Sequence, residues 1–273
     1  MNRRVAPLLL HGVLLLGAVA TLLPLVWMVS ASLMPTGDAT TYPPRFFPRR
    51  VTFEHYAELF TRLSLGRYLL NSTLVTVSAT LLSLLFNSMA GYALAKLRFR
   101  GRERVFRLLV VGLVIPSQVT MLPLFLLLRA MGLVNTYFGA IVPLMATIFC
   151  IFLVRQYALS IPDDLLDAAR LDGASELRIY WSVALPAMRP ILATLAIFTF
   201  LSTWNDFLWP LVVLSDDAKY TLPVALANLV GEHVQDTELM MAGSVLTVLP
   251  VLVLFVLLQR HYIEGIMAGS AKG

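Results

Sequence analysis

Six long apolar runs alternate along the chain with shorter stretches in which polar and charged residues gather. The runs lie at roughly 8–33, 69–95, 105–128, 138–158, 190–214 and 242–260, close to the about 20 residues that a helix needs to cross a hydrocarbon core. The pattern predicts an all-α integral membrane protein with six transmembrane helices in one permeating domain, residues 1–273. Pro116 and Pro123 lie inside the third run and predict a bent or interrupted helix there. One intervening stretch, "IPDDLLDAARLDGASELRIYWSVALP" at 161–186, has another period. Leu165, Leu166, Ala169 and Gly173 share one helical face, and Leu177, Tyr180, Trp181 and Ala184 share a second at i, i+3, i+4 and i+7. Ser160 and Asp163 have the spacing of a capping box, with Pro162 suited to the first turn. Asp163, Asp164 and Asp167 favour the positive end of that helix. Gly173 permits a turn of positive φ, and Ser175 can cap the second helix. A helix–turn–helix outside the membrane is expected, with apolar faces that call for a partner.

Composition agrees with the pattern. The 273 residues are 58% hydrophobic and 14% charged, with a mean hydropathy of +0.79, whereas soluble domains carry about 25% charged residues. The single cysteine, Cys150, lies in an apolar run, which excludes disulfide frameworks and cysteine-rich metal sites. The first run follows Arg3 and Arg4 and ends near the small residues of "SAS" at 30–32, but it is too long for the core of a signal peptide and reads as a retained anchor. Six spans put both termini on one side. Placing them in the cytoplasm gathers two thirds of the 21 Lys and Arg on that face, the densest being "KLRFRGRER" at 96–104, as the positive-inside rule requires. The 161–186 segment then faces the cytoplasm. Its acidic first helix would be repelled by anionic headgroups, which favours a protein partner. Outside lie a proline-rich loop over 34–67 and a longer one over 215–241 with Asp216, Asp217, Glu232, Asp236 and Glu238. Both read as solvated connections, and the second is long enough to meet an external partner.

"DAARLDGASELRIYWSVALP" at 167–186 resembles the cytoplasmic signature of ABC importer permeases: Glu-Ala-Ala, three residues, Gly, nine residues, Ile, one residue, Leu-Pro. Ala168, Ala169, Gly173, Leu185 and Pro186 match, Asp167 stands for the glutamate and Val183 for the isoleucine. "AGYALAKLRFRG" at 90–101, "IFLVRQYALSIPDDL" at 151–165, "WNDFLWPL" at 204–211, "YTLPVALA" at 220–227 and "EGIMAGSAKG" at 264–273 resemble the carbohydrate branch, the maltose-type second permease subunit. The resemblance implies a type I ABC importer permease architecture. It also implies that a coupling helix carrying Asp167, Ala168, Ala169, Asp172, Gly173, Leu185 and Pro186 docks into an ATPase subunit. The tail, with Ser270 and Lys272, is implied as a further ATPase contact. Expected partners are a second homologous permease, two ATPase subunits, an extracytoplasmic solute-binding protein, a sugar and membrane lipid, with no nucleic acid. ATP and magnesium are expected on the ATPase partners, with no cofactor on this chain, in the inner membrane of a prokaryote.

The residues are consistent with that division of labour. No phosphate-binding loop occurs, Lys272 lacking both the glycine spacing and the following Ser or Thr. The chain is therefore not expected to be an enzyme. His11, His55, His233 and His261 are scattered, and no metal site is expected. Polar groups within spans are costly, so Trp204, Asn205, Asp206, Gln118 and Asn87 are candidates for a translocation path, each with a structural alternative. Asn205 and Asp206 can hold a partner helix, Trp204 can be an interfacial aromatic, and Gln118 can satisfy a carbonyl freed by Pro116. Gly91 and Ala95 read as helix packing. Two other functions remain at this stage: a permease for glycerol phosphate or another small polar solute, disfavoured by spans nearly free of Lys and Arg, and an autonomous ion-coupled carrier, disfavoured by the lack of an internal repeat.

Overall fold

The apolar runs fold as helices, and the computed structural model, which describes residues 5–43, 45–232 and 236–270, has no strand among them. In chain order the helices are α1 (Val5–Ser32), α2 (Glu54–Thr61), α3 (Leu65–Lys96), α4 (Arg102–Gly112), α5 (Ser117–Ala130), α6 (Tyr137–Ile141) and α7 (Ile148–Ala158). There follow α8 (Asp163–Leu171), α9 (Glu176–Ile179), α10 (Leu185–Ala187), α11 (Arg189–Trp204), α12 (Leu208–Val213), α13 (Leu222–Glu232) and α14 (Thr237–Ser270). Four stretches are long and apolar enough to cross a membrane: Leu10–Ser32, Leu65–Lys96, Tyr137–Ala158 and Thr237–Val256. Two bent pairs bring the number to six if each is one span: α4 with α5, bent by 108°, and Glu176–Ala187 with α11, bent by 78°. The run at 190–214 departs from expectation, because the helix stops at Trp204 and restarts at Leu208. Asn205 ends α11 and Pro210 lies in the first turn of α12, where its missing N–H costs little.

The chain forms two compact units. One comprises Met1–Gly66 with Ala225–Pro250. There "SAS" is no exposed cleavage site: Ser32 is fully buried and its hydroxyl meets that of Tyr56 at 2.8 Å, while Ser30 donates to the Phe46 carbonyl. Glu238, expected in a solvated loop, is also fully buried and accepts the Ala39 N–H at 2.7 Å. A carboxylate in the first turn of an apolar helix is drawn in by the backbone donor it satisfies.

The other unit comprises Arg67–Val224 with Val251–Gly273. Its α3 carries polar side chains through an apolar run by bonding them to the helix's own carbonyls, as Thr73 does to Leu69 at 2.7 Å. Gly91 lets α3 approach α7 closely: a Cβ there would lie 2.5 Å from Val154 Cγ1 and 3.0 Å from the Arg155 nitrogen. Ala95, one turn on, joins the same apolar cluster. Beyond α12, Asn71 of α3 donates to the carbonyls of Ala218 and Tyr220 and accepts from the Tyr137 hydroxyl, which holds the connection to α13 in place.

Candidate functional site

The segment at 161–186 is a bent helical hairpin whose inner side is held by the apolar cluster and whose tip is exposed. Leu166, Ile179, Tyr180 and Ala184 pack with Tyr92 and Ala95 of α3, Val154 and Ala158 of α7, and Leu195 of α11. Gly173 has φ +80°, the positive value its turn was expected to need. No atom lies within 4 Å of a Cβ built there, so the turn faces open space. Two details differ from the expected caps and faces. Ser160 does not cap α8: its hydroxyl donates back to the Tyr157 carbonyl, and Pro162 is the N-cap residue. Ser175 does cap α9, accepting the Arg178 N–H at 3.4 Å. In the second half, Leu177, Tyr180, Trp181 and Ala184 were expected to share one face, but Tyr180 and Ala184 turn inward with Ile179, whereas Leu177 and Trp181 are exposed. A single π turn over Tyr180–Ala184 takes up an extra residue and shifts the phase that a 3.6-residue period assumes.

Three polar clamps make the hairpin an extension of the helix bundle beneath it. Lys96, at the end of α3, donates to the Ile161 carbonyl at 2.6 Å and to Asp163 Oδ1 at 2.7 Å. That ammonium holds the Asp163 carboxyl below the usual carboxylate range, chiefly by its hydrogen bond and then by its charge. Across the bend, Arg170 bonds Asp167 at 2.6 Å and Glu176 at 2.8 Å, tying α8 to α9, and both bonds push its own titration further up. Beneath, the Ser88 and Tyr180 hydroxyls meet at 2.7 Å, so a polar group in the middle of α3 touches the π turn. Arg155 completes the scaffold: it donates to the Leu94 carbonyl, pairs with Glu103 and lies 3.7 Å from the centre of the Phe106 ring. Lys96, Arg155 and Arg170 were not among the expected site residues. The one signal pointing to them was the three-residue spacing of Asp167 and Arg170 on a helix.

What the inner side buries, the tip leaves uncovered. Leu171 is 89% exposed and Leu177 60%, with Leu165 and Trp181 also open. Ala168, Asp172 and Gly173 are exposed beside them, whereas Ala169, Leu185 and Pro186 are half-buried. Chemically the hairpin can receive a push at its tip and pass it, through a packed base, to α3, α7 and α11.

Residues 61–266 match the family model described as the binding-protein-dependent transport system inner membrane component. The chain belongs to this family. Among the family's curated members, the arabinooligosaccharides transport system permease protein of Halalkalibacterium halodurans is 39% identical over the whole of both chains. The lactose transport system permease protein of Rhizobium radiobacter is 32% identical over all of this chain and 98% of its own. A crystal structure of a bacterial ABC transporter that imports the acidic polysaccharide alginate contains a similar chain. The two superpose with a TM-score of 0.84 at 27% identity, over 95% of this chain and 98% of that one. The type I permease architecture expected from the sequence is thus the fold of the chain.

Within that fold, the five path candidates do not gather at one place. Asn87 is fully buried; its amide donates to Ser83 and its Oδ1 accepts the Thr147 N–H at 3.0 Å, holding the start of α7. Trp204 is buried and stacks on Phe200, ring centres 5.7 Å apart. Asn205 is exposed and donates to the Leu201 carbonyl, and Asp206 accepts the Trp209 N–H at 3.3 Å, so these two shape the break between α11 and α12. Gln118 is exposed in the first turn of α5, where its Oε1 accepts from the Ser117 hydroxyl at 3.3 Å. Ser270 ends α14, while its side chain and the whole of Lys272 lie outside the described residues.

Proposed function

We propose that this chain is one permease subunit of an ATP-driven importer of a sugar or oligosaccharide, and that the 161–186 hairpin is where ATPase motion enters it. The observation that carries the reading is the contrast within the hairpin: an anchored base, tied to α3 by Lys96 and Tyr180, and an exposed apolar tip around Leu171 and Leu177. A lever needs both. Relatives named for arabinooligosaccharides and lactose support a sugar as cargo. Arg155, the buried guanidinium of α7, is already held by Leu94, Glu103 and Phe106, which leaves it unsuited to binding a phosphate and favours a neutral cargo. The remaining machinery follows from this role: a second permease completing the path, two ATPase subunits carrying ATP and magnesium, and a solute-binding protein outside, as in the alginate transporter solved with its pentasaccharide-bound periplasmic protein. The chain itself hydrolyses no ATP and holds no cofactor, its termini are cytoplasmic, and its tail past Ser270, with Lys272, is a second ATPase contact.

The test is co-purification of the tagged chain in detergent, comparing wild type with Gly173→Trp and Leu171→Asp. The first variant strains a positive-φ turn and fills its open side; the second changes only an exposed side chain, so it leaves the fold intact. Retention of the second permease with loss of the ATPase in both variants is expected. An ATPase that stays bound to both would remove the coupling role from the hairpin.

A further inference from the structure

The turn between α3 and α4 forms a second feature, distinct from the hairpin. Arg98, Arg100, Arg102, Arg104 and Arg107, with Phe99, Gly101 and Glu103, line an open cavity of about 700 Å³. The only acid in it, Glu103, is already shared between Arg102 and Arg155, 3.3 Å from each. Arg102 is further occupied by the carbonyls of Ala95 and Leu97. Among the described residues no carboxylate lies within 4.0 Å of Arg98, Arg100, Arg104 or Arg107. Like charges gathered in a concave site where they outnumber the counter-charge raise the local potential and draw an anion. The first turn of α4 adds the positive end of its dipole to the same site.

The apolar surface below the cavity narrows the choice of anion. Arg104, Arg107, Leu108 and Val111 stand at i, i+3, i+4 and i+7, one stripe of α4, with the cations at its start and the apolar residues after them. Leu108 is 72% exposed and Val111 66%, and no residue of α4 is buried. At 1.5 Å per residue the 11 residues of α4 extend about 16 Å, close to the roughly 15 Å of one leaflet's hydrocarbon. The stripe therefore repeats the layout of a phospholipid, charge at one end and hydrocarbon along the rest.

We propose that the five-arginine cavity at the α3–α4 turn binds the headgroup of an anionic phospholipid, with an acyl chain along Leu108 and Val111. Guanidinium groups meet phosphate oxygens in pairs. A zwitterionic headgroup would bring its own cation into an already positive site, so a lipid of net negative charge is preferred. The site rests on the chain being membrane-integral and shares no residue with the hairpin tip, so its test is independent of the coupling role.

The experiment is native mass spectrometry of the tagged chain with its co-purified subunits, titrated with phosphatidylglycerol and with phosphatidylcholine of identical acyl chains. Wild type is expected to bind phosphatidylglycerol in preference. Each arginine near an anionic surface contributes about fivefold in affinity, so the Arg104→Gln, Arg107→Gln double variant should bind it roughly 25-fold more weakly. Arg62→Gln, at an exposed position outside the cavity, should change nothing, and Leu108→Gln should weaken the lipid while leaving any binding of inorganic phosphate unaltered. Equal binding of the two lipids, or undiminished phosphatidylglycerol binding by the double variant, would overturn the proposal. So would displacement of the lipid by inorganic phosphate at comparable concentration, which would mark a free-anion site. Loss of a protein subunit from the double variant with lipid binding unchanged would mark a protein interface and overturn it equally.

Discussion

Two of the chain's bends lie beside proline residues and have opposite surroundings. Between α4 and α5 the axis turns by 108° at Pro116, and Leu113, Val114 and Ile115 are all exposed, Val114 by 82%. Between α10 and α11 it turns by 78° close to Pro186 and Pro190, yet Met188 at the corner and Ala184 before it are fully buried. Proline produces a bend by removing an N–H and crowding the preceding turn, whatever surrounds it. Packing decides what the bend can do. A close-packed corner moves with its neighbours, as a lever must, while an exposed one is shaped by the medium around it.

The largest effect should come from disturbing the packing beneath the second bend. Gly91→Leu puts atoms where Val154 and the Arg155 backbone already lie, and overpacking of this kind costs about 1–3 kcal/mol or more. A lowered melting temperature in detergent, with the hairpin released from α3 and more open to protease, is expected. A melting curve equal to wild type would mean that the α3–α7 contact does not support the corner. Ser88→Ala comes next. It leaves the Tyr180 hydroxyl without its partner, a loss of about 1–3 kcal/mol, and adding Tyr180→Phe should recover much of it because both polar groups are then gone. Additive losses in that double-mutant cycle would show that the two hydroxyls are not coupled.

A smaller effect is expected from the Lys96 clamp. The Asp163 carboxyl titrates below its unfolded value, so its contribution is full above the ordinary carboxylate pKa of about 3.9 and is lost as pH falls through the lowered, folded value. Once exchange is corrected for its intrinsic pH dependence, opening of α8 should therefore be flat from neutral pH to about pH 5 and rise only in stronger acid. Asp163→Asn should reproduce that rise at neutral pH; exchange indifferent to this change would remove the clamp from the lever. The smallest effect belongs to the exposed bend: Val114→Ala should shift stability by no more than about 0.5 kcal/mol. A large loss measured in a lipid bilayer but absent in detergent would show that the surrounding lipid, and not the protein, supports this corner.

Much of the architecture was readable along the chain, because its causes are local. Apolar length determined where spans form, proline where the third run bends, and the spacing of Ala168, Ala169, Gly173, Leu185 and Pro186 placed the hairpin between spans. Glycine at 173 reported a positive φ because few other residues tolerate one. The inward and outward faces were less legible. Leu177 was expected to share a face with Tyr180 and Ala184, yet it is exposed while Ile179 is buried beside them, where a π turn at Tyr180–Ala184 breaks the helical period. Asn87, a path candidate, is fully buried, its amide bonded to Ser83 and Thr147.

The sequence by itself thus determined the membrane class, the places where helices begin and bend, and the family. Tertiary structure alone decided the partners of the polar groups: Lys96 with Asp163, Ser88 with Tyr180, Arg155 with Leu94 and Glu103. The physical reason is range. Helical period and turn chemistry act over a few residues, whereas a buried polar group must find whichever donor or acceptor the fold brings near, here from residues far away in the chain.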